Sequence, residues 1–248
     1  MDIKKISEEN NTTKVLVKGI DLEFMNGIRR IAMNSVPVLA IDKLMIYENE
    51  SAVFDEMLAN RLAFMPIKAD RKSYPKGETV TLMLDEKGPK MVYSGDIKCS
   101  DPNVEIVNKK IAVAKLADGQ KLRLEMIALS GAGKNHSKWQ PGIISFNNMP
   151  VLKQHGEVKN AEKILKALPK DSVEVKAGKF ILKDPYNSDI GSFIGDISEG
   201  KLEMEHDDKS FVLTVESTGS LSASEILQGA AEQLQEKTDE FKKLVKEL

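Results

Sequence analysis

The stretch Ser130-Gly131-Ala132-Gly133-Lys134-Asn135 has glycines and a lysine like those of a loop that cradles phosphates. That chemistry also needs a glycine where Ala128 stands, and a Ser or Thr to hold magnesium where Asn135 stands. The stretch leads towards Trp139 and Pro141 rather than into a helix, so a flexible loop between strands is the better reading. His136, His155 and His206 lie far apart, and none has a metal-ligand spacing such as H-x-x-x-H. Asp55-Glu56, Asp85-Glu86 and Asp207-Asp208 stand singly among lysines, as solvated faces do, and the first pair also suits a helix N-terminus. Cys99 has no nearby base to make it a nucleophile. Neither a catalytic residue nor a metal ligand is expected in this chain.

The bulk properties point the same way. Of 248 residues, 36 are Lys or Arg and 38 are Asp or Glu, so the net charge is 36 − 38 = −2. Duplex DNA as the main partner is disfavoured, because phosphate binding draws on a clustered basic surplus. A single cysteine excludes an internal disulfide framework or a thiolate cluster. The longest apolar run, Val36-Pro37-Val38-Leu39-Ala40-Ile41, is far short of the ~20 residues that span a bilayer. Met1-Asp2-Ile3-Lys4-Lys5 lacks the basic-then-apolar order of a signal peptide, so a cytoplasmic protein is expected.

Several elements could position side chains for binding. Val15-Leu16-Val17 reads as a strand closed by Gly19. Asp21 suits the N-cap of a helix on which Phe24, Ile28 and Ile31 form one apolar face, ended by Pro37. A strand over Val38 to Tyr47 follows. Ser51 then suits the cap of a second helix with Phe54, Met57, Leu58 and Leu62 on one side, stopped by Pro66. From 78 to 152 the period is roughly two, with Val80, Leu82 and Leu84 on one face, further strands near Ile111, Leu122–Ile127 and Ile143–Phe146, and turns at Gly88-Pro89, Asp118-Gly119 and Pro141-Gly142. Residues 155–208 read as a compact subdomain with a helix over Ala161–Ala167 and strands over Lys179–Leu182 and Lys201–Met204.

The end of the chain carries the clearest local signal. Ser222-Ala223-Ser224-Glu225 is a capping box. Beyond it Leu227, Ala231, Leu234, Thr238, Phe241, Val245 and Leu248 are spaced alternately four and three apart, on a helix on the order of 40 Å long. Such a stripe must lie against something, either its own domain or a helix of another chain, since a 3.5-residue period is a coiled-coil-like seam. In the first helix, the adjacent Arg29 and Arg30 point about 100° apart, so at least one leaves the core-facing stripe. Arg suits bidentate contact with carboxylates at an interface, and a solvated surface pair fits the spacing equally well.

Three segments in order, Phe24-Met25-Asn26-Gly27-Ile28-Arg29-Arg30, Val36 to Ile41, and Asp55-Glu56-Met57-Leu58-Ala59-Asn60-Arg61-Leu62-Ala63-Phe64-Met65-Pro66-Ile67, resemble the assembly subunit of cellular RNA polymerases. That family includes the bacterial alpha N-terminal region, the eukaryotic third-largest subunit and the archaeal D-type member. His136-Ser137-Lys138-Trp139-Gln140-Pro141 and Phe211 to Gly219 resemble segments of its archaeal and eukaryotic members. The likeness covers nearly the whole chain, and the length and the 155–208 insert favour the archaeal branch.

The resemblance implies an α+β scaffold with a discontinuous dimerisation domain (1–43 and 209–248), an inserted β-rich domain (44–154) and a small ferredoxin-like subdomain (155–208). It implies a heterodimer with the small subunit L, on which the second-largest catalytic subunit and the small zinc subunits N and P assemble. Phe24, Ile28, Ile31, Leu227, Ala231, Leu234, Phe241, Val245 and Leu248 would face L. Arg29 and Arg30 would face the large subunit, and Lys138 and Trp139 are weaker candidates for a platform contact. Nucleotidyl transfer, the DNA-directed RNA polymerase reaction, would belong to the assembled enzyme. Many archaeal members carry iron–sulfur clusters in the insert. Here a C-x2-C-x2-C-x3-C run would fall on Ser188, Gly191, Ile194 and Ser198, and its counterpart on Val158, Ala161, Ile164 and Leu168. None is cysteine, so no cluster is expected, and Ile164, Leu168, Ile190 and Ile194 are expected to fill the centre instead. An electron carrier is disfavoured by the same substitutions. A self-associating helical adaptor remains the rival that the heptad stripe alone allows.

Overall fold

The computed structural model describes residues 1–158, 161–168, 172–183, 185–186 and 193–247. The chain opens with β1 (Asp2–Glu9), β2 (Thr12–Lys18), α1 (Leu22–Asn34), β3 (Pro37–Asn49) and α2 (Asp55–Ala63). Next come β4 (Ile67–Lys68), β5 (Thr79–Lys87), β6 (Lys90–Tyr93), β7 (Lys98–Cys99), β8 (Glu105–Ile106), β9 (Ala112–Leu116), β10 (Lys121–Ala132) and β11 (Gly142–Gln154). The last third holds α3 (Ala161–Ala167), β12 (Val173–Lys176), β13 (Lys179–Leu182), α4 (Phe193–Ile197), β14 (Leu202–Ser217) and α5 (Ala223–Lys246). The architecture is mixed α/β and mostly sheet. Its two larger sheets have the strand orders β1-β2-β14-β11 and β3-β10-β5-β7.

Two compact units result: Met1–Ser7, Lys14–Met25 and Ser145–Thr214 form the first, and Glu8–Thr13, Asn26–Ile144 and Val215–Leu248 the second. In the second, β10 is the central strand, antiparallel to both β3 and β5, with Leu124 opposite Ile46 and Leu84, and Met126 opposite Leu44 and Leu82. Alternation along each strand turns Leu82, Leu84, Leu122, Leu124 and Met126 to one face, where all are buried. α2 covers that face with Leu58 and Leu62, both fully buried. Each such leucine contributes about 2 kcal/mol by leaving water.

The second helix departs from the expected pattern in two ways. Ser51 does not cap it. Its hydroxyl bonds Asn49 Oδ1 at 2.7 Å and accepts the Val53 N–H at 3.2 Å, and α2 begins only after Phe54, its N-cap. Asn49 has taken over the entry, donating to the Val53 carbonyl and, at 2.6 Å, to Asp55 Oδ1. In consequence Phe54 and Met57 point outward, 73% and 58% exposed, and only Leu58 and Leu62 of the expected quartet face the core.

The stretch expected to be a flexible loop between strands also differs. β10 continues through Ala132, and the glycines serve close packing. A Cβ on Gly131 would stand 2.4 Å from Trp139 Cε2, and one on Gly133 would stand 2.3 Å from the Met33 carbonyl oxygen.

In the first unit, Ile164, Leu168, Val173, Phe180, Ile194 and Leu202 form a separate buried core. β12 and β13 pair in register from Val173↔Leu182 to Lys176↔Lys179. Their two-residue turn, Ala177-Gly178, has both φ angles positive (50° and 76°), the conformation that matches strand twist in a tight hairpin.

Candidate subunit interface

α5 starts as its sequence dictates. Ser222 Oγ accepts the Glu225 N–H at 3.3 Å, while Glu225 Oε2 accepts from the Ser222 N–H at 2.8 Å and from its hydroxyl at 2.6 Å. Those bonds, the hydroxyl's first, hold the Glu225 carboxyl below the ordinary carboxylate range. The first two turns are anchored. Ile226, Gly229 and Ala230 are buried, and a Cβ on Gly229 would meet Val36 Cγ1 at 3.1 Å. Arg71 pairs with Glu232 at 2.5 Å, and Lys237 Nζ lies 3.4 Å from Ser35 Oγ.

Past that point the helix runs clear of its own chain. Every residue from Gln235 to Glu247 is exposed, including Phe241 (67%), Leu244 (57%) and Val245 (47%). Leu227 and Leu234 are half-buried, and Ala231 and Thr238 are exposed. Thr238 returns its hydroxyl to the Leu234 carbonyl at 2.9 Å, which satisfies its polar group within the helix. The expected stripe therefore exists as an open apolar surface over the residues described. Leu248, its last expected member, lies outside the described residues. Leu244 belongs to the surface although the alternating count passes over it; it lies three residues after Phe241, on the same helical face.

α1 repeats this division between a covered and an open face. Its first bond runs from the Met25 N–H to the Asp21 carbonyl at 3.1 Å, as expected of Asp21 at the N-cap. The buried residues are Met25 and Ala32, seven apart, followed by Val36. Phe24 is 42% exposed and Leu22 50%, while Ile28 and Ile31 are half-buried. The two arginines separate. Arg29 is half-buried and held within the helix, bonded to Asn26 Oδ1 at 3.0 and 3.2 Å and lying 3.8 Å from Met33 Sδ. Arg30 is exposed and makes no hydrogen bond or ion pair among the described residues.

Among the described residues no three His, Cys, Asp or Glu gather as a metal site. His155 meets Glu203 at 3.1 Å and His136 lies by the rings of Phe64 and Trp139, so the histidines stay apart. No helix among the described residues is long and apolar enough to cross a membrane.

Similarity to known proteins gives the family of the chain. Residues 34–149 match the RNA polymerase Rpb3/RpoA insert domain. The chain is 35% identical to the DNA-directed RNA polymerase subunit Rpo3 of Pyrococcus furiosus, over 97% of this chain and 95% of that one. It is likewise 35% identical to the Rpo3 of Natronomonas pharaonis, over 98% and 97%, and 30% identical to that of Methanosarcina acetivorans, over 100% and 99%. The chain belongs to the Rpo3 family of DNA-directed RNA polymerase subunits. Nucleotidyl transfer is the work of that multisubunit enzyme. The motifs that carried the resemblance sit at α1, at the start of β3 and at α2.

The loop segment of the Rpo3-family chain is turned inward. Trp139 is 7% exposed and donates its indole N–H to the Leu129 carbonyl at 2.9 Å. Lys138 Nζ pairs with Asp42 at 2.7 Å, donates to the Ile41 carbonyl at 3.2 Å and lies 4.3 Å from the Trp139 ring centroid. Both side chains are thus engaged within the chain, where they tie the loop to β3 and β10.

Proposed function

We propose that this Rpo3-family chain is the assembly scaffold of an RNA polymerase, pairing with a small subunit of the L type and docking the second-largest catalytic subunit. The observation that carries the reading is the open stripe of α5. A helix that leaves Phe241, Leu244 and Val245 in water has not completed its core, and apolar surface of that kind marks a protein interface. Together with Phe24, Ile28 and Ile31, the stripe from Leu227 to Val245 is the L-facing surface. An interface built on it reaches the ~800 Å² per partner of an ordinary stable complex. In this reading 1–43 and 209–248 form the dimerisation domain, 44–154 the inserted domain and 155–208 the ferredoxin-like subdomain. The small zinc subunits N and P assemble on the same platform, in the cytoplasm.

Arg30, exposed and unpaired among the described residues, is the proposed contact to the large subunit; Arg29 shapes the helix surface beside it. Lys138 and Trp139 act on the platform indirectly, by holding their loop in place. The ferredoxin-like insert does not fit an iron–sulfur cluster. Of the aligned positions, Ile194 is a fully buried core residue, and Ser198 exchanges hydrogen bonds with Leu202, accepting its N–H at 2.9 Å. Ile164 and Leu168 of the counterpart run are also core residues. Ser188, Gly191 and Ile190 lie outside the described residues. No thiolate stands at any of these positions, and the one cysteine, Cys99, lies in β7.

Co-expression with the L-type subunit is the test. A one-to-one complex by light scattering, with this chain aggregating when expressed alone, is the expected result. A stable monomer, or a homodimer that ignores the small subunit, would overturn the assignment.

A further inference from the structure

The open part of α5, Gln235 to Glu247, is about 20 Å long, and its charges are not spread evenly around it. Set in heptads, the stripe puts Ala231, Thr238 and Val245 at a, and Leu227, Leu234 and Phe241 at d. The positions that border such a seam, e and g, are then Gln228, Gln235 and Lys242 on one side and Ala230, Lys237 and Leu244 on the other. None of these is acidic. Every carboxylate of the helix beyond Leu227 (Glu232, Glu236, Asp239, Glu240 and Glu247) falls on the outer positions b, c and f. The seam has a cation on each border and its acids turned away.

Their own chain offers these two lysines little. Among the described residues Lys237 meets the neutral Ser35 hydroxyl, at 3.4 Å, and no carboxylate. Lys242 pairs with Asp239 at 3.3 Å, three residues back, and a pair so open to water holds its members weakly. A second copy of α5 would be a poor occupant of the seam. In a parallel pair, g of one helix faces the following e of the other, so Lys237 would stand by Lys242 on both borders. In an antiparallel pair g faces g and e faces e, and those positions hold no acid in any register. Like charges brought together in this way reject a partner as firmly as opposite charges choose one.

We infer that Lys237 and Lys242 select the helix that covers this seam: an amphipathic helix of the small subunit with Asp or Glu on both borders of its own apolar stripe. Both borders must be acidic because the two lysines lie on opposite sides of the seam, whichever way the partner helix runs. Each lysine can lay its hydrocarbon stem along the apolar stripe while its ammonium reaches a carboxylate across it. The inference rests on the subunit role proposed above and names the chemistry of the partner at that surface.

The test is the dissociation constant of the complex between the full-length chain and its small subunit, measured at about 0.05 and 0.5 M salt. Lys237→Glu combined with Lys242→Glu should weaken the complex at low salt by about tenfold or more, since two attractions become two repulsions. Lys237→Gln combined with Lys242→Gln should weaken it roughly two- to five-fold and remove most of the salt dependence. Lys243→Glu, at an outer position of the same helix, should change it by about twofold at most. Both seam lysines are exposed, so the unfolding curve of the charge-reversed chain should match that of the parent. Undiminished affinity of the charge-reversed chain, or an equal loss on Lys243→Glu, would overturn the inference and leave the subunit role standing. A parent chain that forms no complex with the small subunit would overturn both.

Discussion

Gly133 and Arg30 show two different reasons for a residue's identity. Gly133 is confined by geometry: any Cβ there meets the Met33 carbonyl at 2.3 Å and Asn34 Cα at 3.3 Å, and backbone cannot swing aside as a side chain can. Gly133→Ala should lower stability by about 1–3 kcal/mol, the usual range for forced overpacking, measurable by thermal or urea unfolding. Arg30 has no such constraint inside the chain. Arg30→Glu should leave unfolding unchanged within about 0.5 kcal/mol while blocking addition of the second-largest subunit to the smaller complex. Normal assembly of the charge-reversed chain would refute the contact. The sequence shows that the two arginines diverge; that Arg29 is the one held by Asn26 depends on side-chain placement.

α5 is two helices in energetic terms. Its first turns are held by Ile226, Ala230 and the Arg71–Glu232 pair, and its last turns by nothing of their own chain among the described residues. Phe241→Asp should therefore leave the stability of the isolated fold nearly unchanged, yet abolish the complex with the small subunit. Co-elution of the variant with that subunit, beside a matched unfolding curve, separates the two effects. The period of the stripe was legible because a long helix repeats its pattern in sequence. α2 was less legible, since Phe54 and Met57 fit the same pattern as Leu58 and Leu62. Only the entry set by Asn49 and Asp55 turns the first pair outward. β1 escaped notice for a related reason: Ile3 is exposed and Ile6 stands among charges, so no alternation marks the strand.

For the whole molecule, ionisation and composition lead to two further outcomes. Asp101 accepts the Tyr74 hydroxyl and the Asn103 N–H, which lowers its carboxyl and pushes the Tyr74 phenol up to about 12. A carboxyl lowered on folding stabilises at pH above its unfolded value and loses that contribution as pH falls through the folded one. A raised phenol acts in reverse: its contribution is complete below the ordinary tyrosine value and is lost as pH rises through about 12. Asp96, Asp207 and Glu225 are lowered as well, so unfolding should become steeply easier below about pH 4. Asp101→Asn should flatten that acid limb, as read from urea midpoints against pH. Iron analysis addresses the insert: purified protein should hold no stoichiometric iron. A one-to-one iron–sulfur cluster would contradict the core built from Ile164, Leu168 and Ile194.

The succession β2, α1, β3 and α2, the β-rich middle, the α3 helix at Ala161–Ala167 and the capping box of α5 were all readable without coordinates. Each rests on interactions between residues near in sequence, or on a repeat that recurs along one element. Tertiary structure alone decided which apolar residues are covered. It set Phe241, Leu244 and Val245 in solvent and sealed Trp139 against Gly131. Hydrophobicity states what a side chain would gain by leaving water; whether a neighbour arrives to let it do so depends on contacts between residues far apart in the chain.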